Sequence, residues 1–220
     1  DTMQQADLIG VGSIPIAVLA GMSIGSVLAL QTSASLQQFG AISFTGRLVA
    51  LSMIREIGPV ITALMVSGRN ASGMASELGS MKVTEQIDAM RALGTDPGKK
   101  LVTPRVIATT VMLFFLTIIS DLFGLAGGWI VYISFLGRSS IEYWTSAYQD
   151  LTYKDISMGL IKPPLFGLII ASVGCWYGLS TRGGTQGVGR ATTQAVVAAS
   201  VLILVVDVFV TRLLMVLMGT

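Results

Sequence analysis

Residues 106–136 read VIATTVMLFFLTIISDLFGLAGGWIVYISFL, with Asp121 as the single charge. A helix needs about 20 predominantly apolar residues to cross a hydrocarbon core about 30 Å thick, and this run exceeds that length. It is also far longer than the roughly 10-residue alternating strands of a membrane barrel. Working outward, the same reading applies at residues 8–30, 48–75, 156–180 and 193–218. The fold class predicted for residues 1–220 is therefore all-α: one polytopic membrane domain of about five transmembrane helices.

Composition supports this. The chain is 52% hydrophobic and 12% charged, with a mean hydropathy of +0.75, whereas a soluble domain carries about 25% charged residues. No basic segment precedes residues 8–30, so they are read as a retained span and not as a signal peptide. Histidine is absent, which removes Ser-His-Asp and Cys-His catalysis and histidine proton relays. Cys175 is the single cysteine, so neither an intrachain disulfide nor a Cys-rich metal site is expected. A scattered net charge of +2 argues against a nucleic-acid partner.

Five spans put the termini on opposite sides. The loops after spans two and four hold Lys82, Arg91, Lys99, Lys100, Arg105, Arg182 and Arg190, against Arg47, Arg138 and Lys154 in the other loops. The positive-inside rule then places the first set in the cytoplasm and the C-terminus outside. Residues 137–155 carry Tyr143, Trp144, Tyr148 and Tyr153, as expected near a membrane interface.

Within the cytoplasmic segment, Thr84 is a plausible N-cap. Ile87, Met90 and Leu93 fall at helical spacing, Gly94 suits a C′ position and Pro97 prevents continuation. A short amphipathic helix over residues 84–93 is predicted. Glu85, Gln86, Asp88, Ala89, Met90 and Leu93 are its candidate residues for docking a cytoplasmic partner. Asp88, Ala89 and Gly94 weakly echo the E-A-A-x-x-x-G coupling pattern of ABC importers.

The stretches IREIGPV at 54–60, GRNASGMASELGSMKVTEQIDAM at 68–90, GTDP at 94–97 and Pro104-Arg105 strongly resemble the MlaE-type permease family. These are the membrane subunits of MCE-protein-associated ABC phospholipid transporters. The likeness continues through Gly127-Gly128 and GRATT at 189–193 to Asp207. It implies a homodimer in the inner membrane, two cytoplasmic ATPase subunits that hold ATP and Mg, and an MCE-domain ring on the outer face. It also implies phospholipid as cargo.

An intramembrane charge pair is a functional hypothesis by default, which singles out Arg55-Glu56 in span two. A guanidinium grips phosphate bidentately, so Arg55 is the candidate headgroup contact, with Glu56 holding it in place. Gln31 is a possible polar neighbour, and Leu28, Leu204 and Val208 are candidates for contact with lipid tails. The other reading of Arg55 is an interfacial anchor. Asp121 and Asp207 are intramembrane carboxylates that need a partner or a raised pKa, and Lys162 invites the same question. Two glycine-rich stretches, at 183–189 and 68–73, lack the strand and the Lys-Ser/Thr of a phosphate loop. So no nucleotide site or enzyme activity is expected in this chain, and no cofactor. The alternative function is a secondary transporter driven by an ion gradient, but no internal repeat of the usual kind is evident.

Overall fold

The computed structural model describes residues 2–219. Among them there is no strand. The elements in chain order are α1 (Thr2–Gly10), a 3-10 turn (Val11–Ser13), α2 (Ile14–Gln37), a second 3-10 turn (Ile42–Phe44), α3 (Thr45–Ser52) and a π-helical turn (Met53–Ile57). They continue as α4 (Gly58–Val83), α5 (Gln86–Ala92), a second π-helical turn (Gly98–Val102), α6 (Thr103–Ser134), α7 (Ser140–Gln149), α8 (Tyr153–Leu179) and α9 (Gly184–Met218).

Five segments are long and apolar enough to cross a membrane: Thr2–Gln37, Ile42–Val83, Gly98–Ser134, Tyr153–Leu179 and Gly184–Met218. This is a multi-pass helical membrane protein. The number of spans agrees with the sequence reading; every span starts earlier than read, and the first two also end later. Most helices run past the apolar stretch, because a helix satisfies its own backbone wherever it goes, in lipid or out of it. Thus α2 continues to Gln37 through residues read as loop. The expected glycine-rich turn at 181–190 is mostly the start of α9, with only Gly183 and Gly184 turning the chain at φ +89° and +66°.

The chain divides into two compact units. One comprises residues 1–13, 63–114 and 163–210 and the other residues 14–62, 115–162 and 211–220. In the first, Ile9, Met74, Leu78, Ala108, Ala171 and Cys175 form one apolar cluster, which draws together α1, α4, α6 and α8. In the second, Ala29, Val49, Ala50, Met53, Leu125, Val131 and Ala147 form another, from α2, α3, the first π-turn, α6 and α7.

Close backbone approach organises the second unit. A side chain on Gly25 would overlap the carbonyl of Gly124, and one on Gly21 that of Ser120. The small-xxx-small spacing on α2 and α6 is therefore a packing seam, as such spacing is used in membranes. The aromatic loop expected after span three is a helix, α7. Ser139 caps it by accepting from the Ile141 amide at 3.3 Å. Trp144 stacks on Tyr148 at 5.5 Å and meets Tyr143 edge-on at 5.4 Å. Tyr143 is fully buried and donates its hydroxyl to the Leu125 carbonyl at 3.1 Å. Burial pushes the pKa of that hydroxyl well up, so it stays a donor.

Candidate functional site

Pro59 has no N–H, so the turn before it lacks one ordinary i→i−4 bond. The chain absorbs this in the π-helical turn Met53–Ile57, closed by the Gly58 amide bonding back to the Met53 carbonyl. Single π-turns inside long helices recur at functional sites, and this one carries Arg55, Glu56 and Ile57.

Adjacent residues on a helix point in different directions, and the two charges find different partners. Arg55 Nε lies 3.3 Å from Asp155 Oδ1, and Arg55 Nη2 is 3.5 Å from Met158 Sδ. Glu56 Oε2 accepts from Lys162 Nζ and, at 3.3 Å, from the Thr211 hydroxyl. Asp155, Met158 and Lys162 follow one another by roughly one helical turn each along α8. One face of α8 therefore meets both charges of the π-turn. The other oxygen of Asp155 accepts from the Thr152 amide at 2.9 Å. That is half of a capping box, and it fixes the carboxylate before Arg55 reaches it.

This corrects the expected pairing. Glu56 does not hold Arg55; Asp155 does, and Glu56 belongs to Lys162. Burial explains the partition. The Lys162 side chain is fully buried, and a buried ammonium is tolerable only with an anion beside it. Arg55 and Glu56 keep side-chain exposures of 25% and 37%, so both still reach the surface of this unit.

Leu28 and Gln31 line one apolar groove of about 320 Å³, with Ser23, Ile24, Val27 and Ile57. Ile57 places that groove on the same π-turn as the charges. Leu204 and Val208 are one turn apart on α9 and both are exposed, at 49% and 66%; they belong to the other compact unit. Asp207 is half-buried on the same helix. Asp121 is buried on α6, and its Oδ1 has no hydrogen-bond partner among the described residues. That oxygen occupies the space a Cβ on Gly58 would need. Gly58, beside Pro59 at the end of the π-turn, is thus the seat of the Asp121 carboxyl.

In the first unit, α5 is a short helix of residues Gln86–Ala92. Thr84 is not its N-cap. The Thr84 hydroxyl bonds back to the Ser80 carbonyl at 2.9 Å and finishes α4. Glu85 takes the cap position in a left-handed conformation, φ +61°, without a side-chain bond to the helix. Lys82 Nζ reaches both oxygens of Asp88, at 3.0 and 2.9 Å, and that hydrogen bond holds the Asp88 carboxyl below its ordinary 3.8. A depressed carboxylate pKa adds local stability above the ordinary value, and this is lost as pH falls through the lowered one. At the other end, Gly94 turns the chain at φ +75°, and the Thr95 amide bonds the Met90 carbonyl at 2.9 Å, closing the helix as expected. Ile87 is fully buried and Met90 half-buried. Glu85, Gln86, Asp88, Ala89 and Leu93 are exposed, Leu93 at 83%. Ile87 therefore anchors α5, and its outward face is left open.

Residues 2–213 match the family model described as Permease MlaE. The chain belongs to the MlaE permease family. Among its MlaE-family relatives, a probable ABC transporter permease protein of Rickettsia typhi is 43% identical over 96% of this chain and 82% of its own length. The intermembrane phospholipid transport system permease protein MlaE of Haemophilus influenzae is 34% identical, again over 96% and 82%. The chloroplast protein TRIGALACTOSYLDIACYLGLYCEROL 1 of Arabidopsis thaliana is 38% identical over 94% of this chain and 59% of its own.

Sequence reasoning missed Asp155, which it assigned to a loop, and Thr211, which carries no charge to draw attention. The spacing Asp155-x-x-Met158-x-x-x-Lys162 would have shown the charged face once α8 was extended by one turn. Arg105, counted as a loop cation, sits in the first turn of α6. It is 3% exposed and bridges Glu77 at 2.8 Å.

Proposed function

We propose that this chain is the membrane-spanning subunit of an ABC transporter that moves phospholipid between the inner membrane and an MCE-protein conduit. The observation that carries the reading is the family match across residues 2–213, joined by relatives named as ABC permeases and as a phospholipid permease. The geometry fits such cargo. An apolar groove suited to acyl chains and a charged cluster suited to a zwitterionic headgroup share the π-turn Met53–Ile57. Arg55 offers a guanidinium to phosphate, and Glu56 offers a carboxylate to an amine.

ATP and Mg are bound and hydrolysed in a separate cytoplasmic subunit, and this chain has no catalytic role. The open face of α5 is where that subunit docks. A second copy of the chain packs along α9, whose exposed apolar residues include Val197, Val201, Leu204 and Val208. An MCE-domain ring sits on the outer face, and the C-terminus lies outside.

The test is co-purification with an ATPase subunit, followed by Glu85→Lys/Asp88→Lys. Both residues are exposed, so the fold should survive while lipid movement and ATP hydrolysis become uncoupled. Wild-type coupling in the double variant would refute the docking role of α5.

A further inference from the structure

Residues 181–190 read TRGGTQGVGR. The turn at Gly183 and Gly184 is so short that the last turn of α8 and the first turns of α9 share one cavity of about 560 Å³. Arg182 and Arg190 both line it, with Trp176, Tyr177, Thr181 and Gln194. No carboxylate lines it, and neither arginine belongs to an ion pair among the described residues. Two cations converging on a cavity without an anion form a receptor for one. The first turn of the 35-residue helix α9 adds the positive end of its dipole on the same side.

The surroundings select the class of anion. Trp176 is 63% exposed and meets Tyr177 edge-to-face at 4.9 Å. A Trp-Tyr pair at the end of a membrane-crossing helix marks headgroup depth. Arginine forks match phosphate oxygens two at a time. A zwitterionic headgroup would bring an amine into a cavity with no acid to receive it, so a net-negative headgroup fits better.

We propose that this cavity binds the phosphate of an anionic phospholipid, held by Arg182 and Arg190 and flanked by Trp176. The lipid belongs to the leaflet on the side of α5, because the loops after spans two and four share a side. The assignment needs only that α8 and α9 cross a membrane and does not depend on what the transporter carries.

The chain has three tryptophans, so Trp129→Phe/Trp144→Phe leaves Trp176 as the reporter. The full chain is placed in phosphatidylcholine bilayers that contain equal fractions of chain-brominated phosphatidylglycerol or chain-brominated phosphatidylcholine. Brominated phosphatidylglycerol should quench Trp176 more strongly. Arg182→Gln/Arg190→Gln should reduce that preference by up to about thirtyfold, given the attraction of each surface cation for acidic lipid. Equal quenching in the parent overturns the proposal, as does an undiminished preference in the glutamine pair. A second arm adds inorganic phosphate to pure phosphatidylcholine bilayers. An emission change there, without any preference for phosphatidylglycerol, would assign the site to a soluble phosphate ester and overturn the lipid assignment. Should the reporter fail to fold, native mass spectrometry of the chain with its tryptophans intact counts retained phosphatidylglycerol directly. Equal retention in the wild type and the glutamine pair also overturns it.

Discussion

At the scale of single residues, the decisive fact is which carboxylate each cation takes. Arg55 is held by Asp155, so its two roles separate experimentally. As a phosphate contact, Arg55→Ala should lower the yield of co-purified phospholipid by about tenfold, the worth of one charge-assisted bond. Asp155→Asn, which frees the guanidinium, should lower it little. As a purely structural pair, both variants should lower stability alike and leave lipid content unchanged; lipid mass spectrometry with thermal unfolding distinguishes these. Lys162 gives a second prediction. Lys162→Met removes the fully buried ammonium beside Glu56 and should cost about 3 kcal/mol. Lys162→Met/Glu56→Gln should cost less than the sum of the single changes, and a double-mutant cycle on unfolding measures the difference. The sequence showed that Arg55 and Glu56 are charges in a span, because intramembrane charge is visible in composition. It did not show the partners. Asp155 and Lys162 lie 100 or more positions away, and only the docking of α8 brings them in.

At the scale of elements, hydropathy located five spans but misplaced their ends. Hydropathy measures transfer into lipid, and backbone hydrogen bonding does not stop at the headgroups. It had no means of finding α7, whose buried Tyr143 and Ala147 are outweighed by polar neighbours. Glycine was more readable than the helix ends. The Gly21/Gly25 and Gly124/Gly128 spacing is the small-xxx-small pattern of helix packing in membranes, and the structure puts α2 and α6 in backbone contact there. Gly25→Ala should therefore force the helices apart, at about 1–3 kcal/mol. Gly68 on α4 has nothing within 4 Å of where a Cβ would stand. Gly68→Ala should stabilise the isolated chain by about 0.5–1 kcal/mol through helix propensity. Thermal unfolding of both variants in detergent checks the contrast, and a destabilising Gly68→Ala would show that another chain covers that face. On α5, the C-terminal stop was legible because Gly94 and Pro97 act locally. The start was not, because the Thr84 hydroxyl can cap the next helix or close the previous one, and tertiary context chose the second.

At the scale of the whole molecule, the proposed topology, read from five apolar helices and the bias of cations, predicts Lys100 inside and Glu142 outside. Cysteine labelling of Lys100→Cys and Glu142→Cys from either face should give opposite answers. Reaction of Lys100→Cys with an impermeant reagent added outside would invert the topology and move the α5 docking face away from any ATPase. The cluster formed by Arg55, Asp155, Glu56 and Lys162 has a further consequence for the molecule in an energised membrane. Its formal charges cancel. Each elementary charge carried across the full field exchanges about 2.3 kcal/mol per 100 mV with the membrane potential. A neutral quartet that shifts as a unit exchanges nothing. If that quartet is the charged group that moves in the transport cycle, the cycle is electrically silent with respect to those four residues, and collapsing the potential with an ionophore should leave the rate unchanged for a zwitterionic lipid. Lys162→Met would leave one negative charge uncancelled and make the same cycle sensitive to voltage.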